Sequence, residues 1–333
     1  MNTKLKSILQ YLFLILLTAL LLWLSLRGLQ VGEGEDKSAF LWQAWRKSDK
    51  MYLLLMAVTV MVSHLFRAER SRLLLKPTGN QVSFSASFLS LMVGYLVNLA
   101  VPRGGEVSRC YNLYKLEKTP VEISFGTVVV ERIIDLLCLV LLIALSFFVE
   151  WKKLKSFIDT LQLPSGKESS FSPVVVIFIL GIVIFGVVLF FLRKNEKFIK
   201  IVAGFKKGLL AVFQLKNKGL FIFYSIAIWV LYFLMSYFVL KAFAETQDLG
   251  FSAVLTLFAI GSIAMAVPLP GGAGSYHTLV PMGLVALYDL QKADAIAFVF
   301  IFHGWQTLIM IVSGVVSLII SYWIIRWKKA HEK

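Results

Sequence analysis

Long uncharged runs alternate along the chain with short polar or basic connectors. The runs 8–26, 51–66, 122–149, 173–192, 219–243 and 294–325 read as transmembrane helices, since a bilayer core of about 30 Å takes roughly 20 apolar helical residues. Of these, 51–66 is short and could begin slightly earlier, whereas 294–325 is long enough to tilt. Two further segments, 83–118 and 252–290, are interrupted in the middle by nearly the same phrase. The first runs Asn98-Leu-Ala-Val-Pro-Arg-Gly-Gly-Glu-Val-Ser-Arg109, and the second Ala264-Met-Ala-Val-Pro-Leu-Pro-Gly-Gly-Ala-Gly-Ser-Tyr-His277. Proline removes a backbone donor and glycine weakens a helix, and lipid tolerates freed backbone groups only where protein or a water-filled cavity satisfies them. Two similar interruptions in corresponding halves point to a transporter's binding site.

Composition agrees with the pattern. Of 333 residues, 58% are hydrophobic and 16% charged, with a mean hydropathy of +0.79. The fold class expected is an all-α polytopic membrane protein forming a single membrane domain over 1–333. The formal charge of +15 is spread over short connectors, which fits the positive-inside bias and argues against nucleic acid as a partner. The two cysteines, Cys110 and Cys138, imply no disulfide framework, and no ligand cluster suggests a metal. Walker, HExxH and GxSxG motifs are absent, so no cofactor is expected and no catalytic residue is assigned. Residues 1–50 read as an uncleaved anchor helix followed by a surface segment, 38–50, and 164–172 as a polar linker.

Loop charges set the expected topology. The connectors 67–76 (Arg67, Arg70, Arg72, Lys76) and 193–218, with eight basic residues, belong to the cytoplasm, as does the tail with Arg326, Lys328, Lys329 and Lys333. The connector 244–251 has no Lys or Arg and fits the outside. Each interrupted segment must then return to its starting side. A second full crossing within 103–118 would carry six charges at roughly 2.5–3.5 kcal/mol for each central one, so two broken or re-entrant hairpins are expected, beside about six full spans. The first would enter from the cytoplasm and the second from outside, giving an inverted repeat over 51–149 and 219–325 with both termini cytoplasmic.

Candidate chemistry gathers at the breaks. Arg103, Glu106 and Arg109 follow the first at i, i+3, i+6, which would set Glu106 near Arg109 on one helix face and Arg103 at a helix entrance suited to an anion. Glu131, Arg132 and Asp135 interrupt an apolar run and should point inward and pair, Arg132 with Asp135 or Glu106. Gly271, Gly272 and Gly274 let backbone approach a ligand closely, and Ser275, Tyr276 and His277 follow with polar groups. His303 and Gln306 share a face of the last span, and His64 is a candidate of the same kind. These residues suit an anionic substrate held by Arg103, Glu106, Arg109, Arg132, Gly271, Gly272, Gly274, Ser275 and His277, with Glu131, Asp135 and His303 (His277 as well) open to proton or ion coupling.

Taken in order, Pro102-Arg103-Gly104-Gly105-Glu106-Val-Ser-Arg109, Glu131-Arg132-Ile-Ile-Asp135 and Pro270-Gly271-Gly272-Ala-Gly274 resemble the lysylphosphatidylglycerol synthase transmembrane-region family over nearly the whole chain. The resemblance implies a bacterial inner-membrane protein that flips lipids, such as aminoacylated phosphatidylglycerol or polyprenyl-phosphate carriers. Arg103, Glu106, Arg109, Glu131, Arg132 and Asp135 fall on its matching positions. The chain ends eight residues beyond Ile325, so the family's soluble aminoacyltransferase domain is not expected, and a lipid-synthesis enzyme encoded separately is a possible partner. Two alternatives stay open: an intramembrane enzyme acting on a lipid phosphate, with Ser275 and His277 as its candidates, and an accessory subunit of envelope lipid synthesis.

Overall fold

The computed structural model describes Trp23 and residues 36–160, 195–266, 269 and 273–331. The expected spans 8–26 (Trp23 apart) and 173–192, the linker 164–172, and Gly271 and Gly272 lie outside the described residues. Among the described residues the regular structure is entirely helical. The α-helices are α1 (Lys37–Lys47), α2 (Lys50–Leu75), α3 (Phe84–Ala100), α4 (Gly104–Glu117), α5 (Val121–Thr160), α6 (Glu196–Leu210), α7 (Lys218–Lys241), α8 (Phe251–Ala266), α9 (Ser275–Tyr288) and α10 (Lys292–His331). Four segments are long and apolar enough to cross a membrane: Lys50–Thr78, Val121–Lys155, Lys218–Lys241 and Lys292–His331. They fall on four of the expected spans, and this is a multi-pass helical membrane protein.

Two connectors are helical, contrary to expectation. Helix α2 starts where Asp49 accepts hydrogen bonds from the Met51 and Tyr52 amides at 2.8 and 3.4 Å. It passes through 67–75 without a break, because the first residue that cannot continue it is Pro77. A 3-10 turn over Lys76–Thr78 and Gly79 at φ 83° then end it. The stretch read as a connector from 193 is largely α6, capped by Asn195 on the Phe198 amide at 3.1 Å. Helix α6 lies on α5 through two glycines. A Cβ on Gly126 would meet the Leu209 nitrogen at 2.9 Å and the Gly208 Cα at 3.0 Å, so only glycine allows the crossing. Ile199, Ile201 and Val202 of α6 are exposed, as are Lys200 and Lys206.

The two interrupted segments form antiparallel helix pairs. In α3–α4 the turn is 101–103, with Arg103 left-handed at φ 63°. The Gly105 amide donates to Asn98 Oδ1 at 2.7 Å, and at the far ends Ser83 donates to Glu117 at 2.6 Å. In α8–α9, Ser275 Oγ donates to the Ala264 carbonyl at 2.7 Å, and a Cβ on Gly283 would meet Ile260 at 2.9 Å.

These pairs open at opposite ends of the bundle. The ends of α3 and α4 sit with the last turns of α2 and α10, where Arg72 donates to the Val82 carbonyl at 2.9 Å and Lys328 to the Leu116 carbonyl at 2.7 Å. Leu75, Val82, Leu113, Leu116 and Ile123 form the core there, with Ile324 and Ile325 against it. At the other end Asp49 donates its amide to the Ala242 carbonyl at 2.7 Å. The main core, including Leu53, Met56, Val254, Leu284 and Phe298, joins α2, α7, α8, α9 and α10. Helix α2 packs along α7, α3 along α10, and α8 along α5. Outward faces stay apolar, as with Leu141 and Phe148 on α5 at 69% and 87% exposure, which suits lipid as the surrounding solvent.

Candidate functional site

Between these cores lies a group of ions drawn from three helices, with a tyrosine from a fourth. Glu131 and Asp135, one turn apart on α5, both face inward. Arg109 from α4 meets Glu131 in a two-pronged pair, with Nη1–Oε2 at 3.0 Å and Nη2–Oε1 at 2.9 Å. Asp135 accepts from two arginines of α2, Arg67 Nη2 at 2.9 Å on Oδ2 and Arg70 Nη2 at 2.9 Å on Oδ1. Arg132 bridges Glu106 at 3.0 Å and Asp135 at 3.7 Å. Tyr232 of α7 accepts from Arg67 Nε at 2.6 Å.

The sequence placed Glu106 beside Arg109, and the structure corrects this. Both partners turn away from their own helix, Glu106 to Arg132 and Arg109 to Glu131. An i, i+3 pair on a surface gains only ~0.2–0.5 kcal/mol, whereas a carboxylate buried without a partner is far costlier, so the inward charges of α5 capture the partners. The pairs expected for Arg132 are both present.

Arg67 and Arg70 were read as loop charges. They are 5% and 0% exposed, and Arg70 is among the largest fully buried side chains. Their signal was in the sequence: His64, Arg67 and Arg70 continue one face of an apolar helix whose first breaker is Pro77.

The network is incompletely satisfied. Four guanidiniums face three carboxylates, an excess of one positive charge. Arg67 Nη1, Arg70 Nε and Nη1, Arg132 Nε and Glu106 Oε2 are buried without a hydrogen-bond partner, as are both ring nitrogens of His64. Its ring lies 4.6 Å from Tyr95. Buried polar groups normally find a partner, so the guanidinium donors among these mark a place for an anion or water. Arg132 is the most exposed arginine of the network, its side chain being 38% exposed.

The residues after the second break form another group, on α9 and α10. His277 and His303 lie ring to ring at 4.8 Å, and Tyr276 stacks on His303 at 5.6 Å. Gly274, at φ 94°, donates its amide to His277 Nδ1 at 3.5 Å. Ser275 hydrogen-bonds the Ala264 carbonyl. Arg103, exposed at the α3–α4 turn, caps α4 from the left-handed region. No group of three or more His, Cys, Asp or Glu fit to hold a metal occurs among the described residues.

A multi-pass helical bundle with two broken helix pairs, the first of them contributing to a net-positive ion network, has a known family counterpart. The chain belongs to the family described as lysylphosphatidylglycerol synthase TM region, whose model matches residues 8–314. It is similar to the UPF0104 membrane protein MJ1078 of Methanocaldococcus jannaschii, 30% identical over 206 residues, covering 60% of this chain and 81% of that protein. The UPF0104 membrane protein MJ1595 of the same organism is 33% identical over 87 residues, 25% of this chain and 26% of that protein. No solved structure matches the chain.

Proposed function

We propose that this protein is a lipid flippase that moves an anionic or aminoacylated phospholipid, or a polyprenyl-phosphate-type lipid, across the membrane by binding its phosphate at the Arg67–Arg70–Arg109–Arg132 network. One observation carries the reading: a net-positive buried cluster keeps unpartnered guanidinium donors in an apolar bundle. Guanidinium is the natural host for phosphate, since its planar donors match two oxygens at once. Arg132 admits the headgroup, and the acyl chains stay in lipid beside the exposed apolar face of α5.

The helix pairs entering from opposite ends support an inverted repeat and alternating access by rocking one half on the other. The end that gathers Arg72, Lys76, Lys115, Lys118, Lys200, Lys206, Lys207, Arg326, Lys328 and Lys329 is the cytoplasmic one in this reading. His277 and His303 are the groups proposed for proton coupling from the second half.

The test is translocation of labelled phosphatidylglycerol by the purified chain in liposomes. Arg132 is the choice for substitution because it is half-exposed and its loss leaves Arg109–Glu131 and Arg67–Asp135 in place. Arg132→Ala is expected to slow translocation about tenfold or more, the equivalent of one charge-assisted hydrogen bond. A folded Arg132→Ala protein that translocates at the wild-type rate overturns the assignment.

A further inference from the structure

A second charged site lies outside the ion network. Near the end of α10, Tyr322, Ile325, Arg326 and Lys329 form one wall of an open cleft of about 330 Å³, and Lys115 of α4 forms the other. Three cations converge there, and among the described residues none of them has a carboxylate partner. Glu117, two residues from Lys115 on α4, is engaged by Lys328 at 3.8 Å and by Ser83 at 2.6 Å. Aromatic rings hold the cations in place: Arg326 lies over Tyr322 at 5.1 Å and Lys115 over Tyr111 at 5.0 Å.

What surrounds the cleft identifies its ligand. Level with it along the helices, Tyr111 of α4 and Trp323 and Trp327 of α10 are exposed, at 53%, 68% and 63%, the two tryptophans on another face of α10. Exposed Trp and Tyr mark the headgroup level of a bilayer. Away from the cleft toward the bundle centre, Leu318, Val315 and Ile311 continue the Tyr322 stripe of α10 at helical spacing, all exposed and apolar. Positive charge at headgroup level above an apolar track fits an anionic lipid and not a soluble ion, because a soluble ion uses only the upper half.

We infer that the Lys115–Arg326–Lys329 cleft binds the phosphate of an anionic phospholipid, whose acyl chain lies along Leu318, Val315 and Ile311. The site is separate from the buried network and shares no residue with it. A lipid held there bridges α4 to α10 and reinforces the tie that Lys328 makes to Leu116.

The experiment is native mass spectrometry of the full chain in detergent, titrated separately with phosphatidylglycerol, phosphatidylcholine and glycerol 3-phosphate. The wild type is expected to retain a phosphatidylglycerol adduct that neither other compound gives or displaces. Lys115→Gln/Arg326→Gln/Lys329→Gln should weaken that adduct roughly a hundredfold, as three basic residues near an anionic lipid contribute about a factor of five each. All three side chains lie at the surface, so folding is expected to survive, and circular dichroism checks it. Arg132→Gln, in the buried network, should leave the adduct in place, which separates this site from the translocation site. Lys200→Gln/Lys206→Gln/Lys207→Gln removes the same charge from α6 and should also leave it. Full retention by the first triple variant overturns the proposal, as does equal loss in the α6 variant. Displacement by glycerol 3-phosphate would make this a soluble-anion site and overturns the lipid assignment.

Discussion

A methyl group placed on Gly94 would meet the Cβ of Arg109 at 3.1 Å, and one placed on Gly261 would meet the ring of Tyr276 at 2.9 Å. In each helix pair the glycine and the residue it faces are fifteen positions apart. The parallel goes further. Glu131 follows Arg109 by 22 residues and Phe298 follows Tyr276 by the same 22. Asp135 and Phe302 each come four residues later. Around Tyr276, Phe298 and Phe302 the structure has a small apolar cavity instead of ions. The same close helix contact therefore hosts an ion network in one half and an aromatic cluster in the other. Backbone approach at a glycine sets where a side chain is aimed, and the residue at that position sets the chemistry.

Three groups of substitutions can break or sharpen this comparison. The largest difference is expected between Asp135→Ala and Phe302→Leu. Asp135→Ala leaves Arg67 and Arg70 buried without their carboxylate and should cost about 3–5 kcal/mol. Phe302→Leu exchanges one apolar group for another at the equivalent position and should cost less than about 1.5 kcal/mol. Thermal unfolding of the purified proteins measures both, and equal losses would show the ions are no more committed than the aromatics. Next come the glycines. A Cβ on Gly105 meets the Asn98 side chain at 2.5 Å and also the Gly94 carbonyl, so backbone must move. Gly105→Ala should cost about 2–3 kcal/mol, as overpacking does. Gly261→Ala meets only the Tyr276 ring, which can shift, and should cost about 1 kcal/mol. If Gly105→Ala proves as stable as Gly219→Ala, where nothing lies within 4 Å, the close approach is wrong. The smallest effect is expected at Ser83, which caps α3 on the Ala86 amide at 3.2 Å and ties it to Glu117. Ser83→Ala should cost about 1 kcal/mol, read in the same melts, and a neutral result would mean water replaces the cap.

Much of the helical plan was legible. Long apolar runs must be helices in lipid because only intrasegment hydrogen bonds satisfy the backbone there, and four of the expected spans are present as such. The breaks after Ala100 and Ala266 were visible as Pro-Gly phrases, since those residues act locally. What went wrong was assigning charge to loops. Arg67 and Arg70 carry the same charges as a cytoplasmic connector would, and charge counting cannot tell a buried arginine from an exposed one. Only the absence of a breaker before Pro77 distinguishes them.

By itself, then, the sequence determined the class of protein, the spans within the described residues and the positions of the two broken helix pairs. Each follows from periodicity, breakers and the price of charge in lipid, all properties of neighbouring residues. The tertiary structure alone decided who pairs with whom. Arg109 reaches Glu131 and not Glu106, and Asp135 reaches across to α2. Ion pairing in an apolar interior depends on which helices touch. That contact is set here by glycines such as Gly94, Gly105 and Gly126, whose facing partners lie on other helices and cannot be read from local sequence.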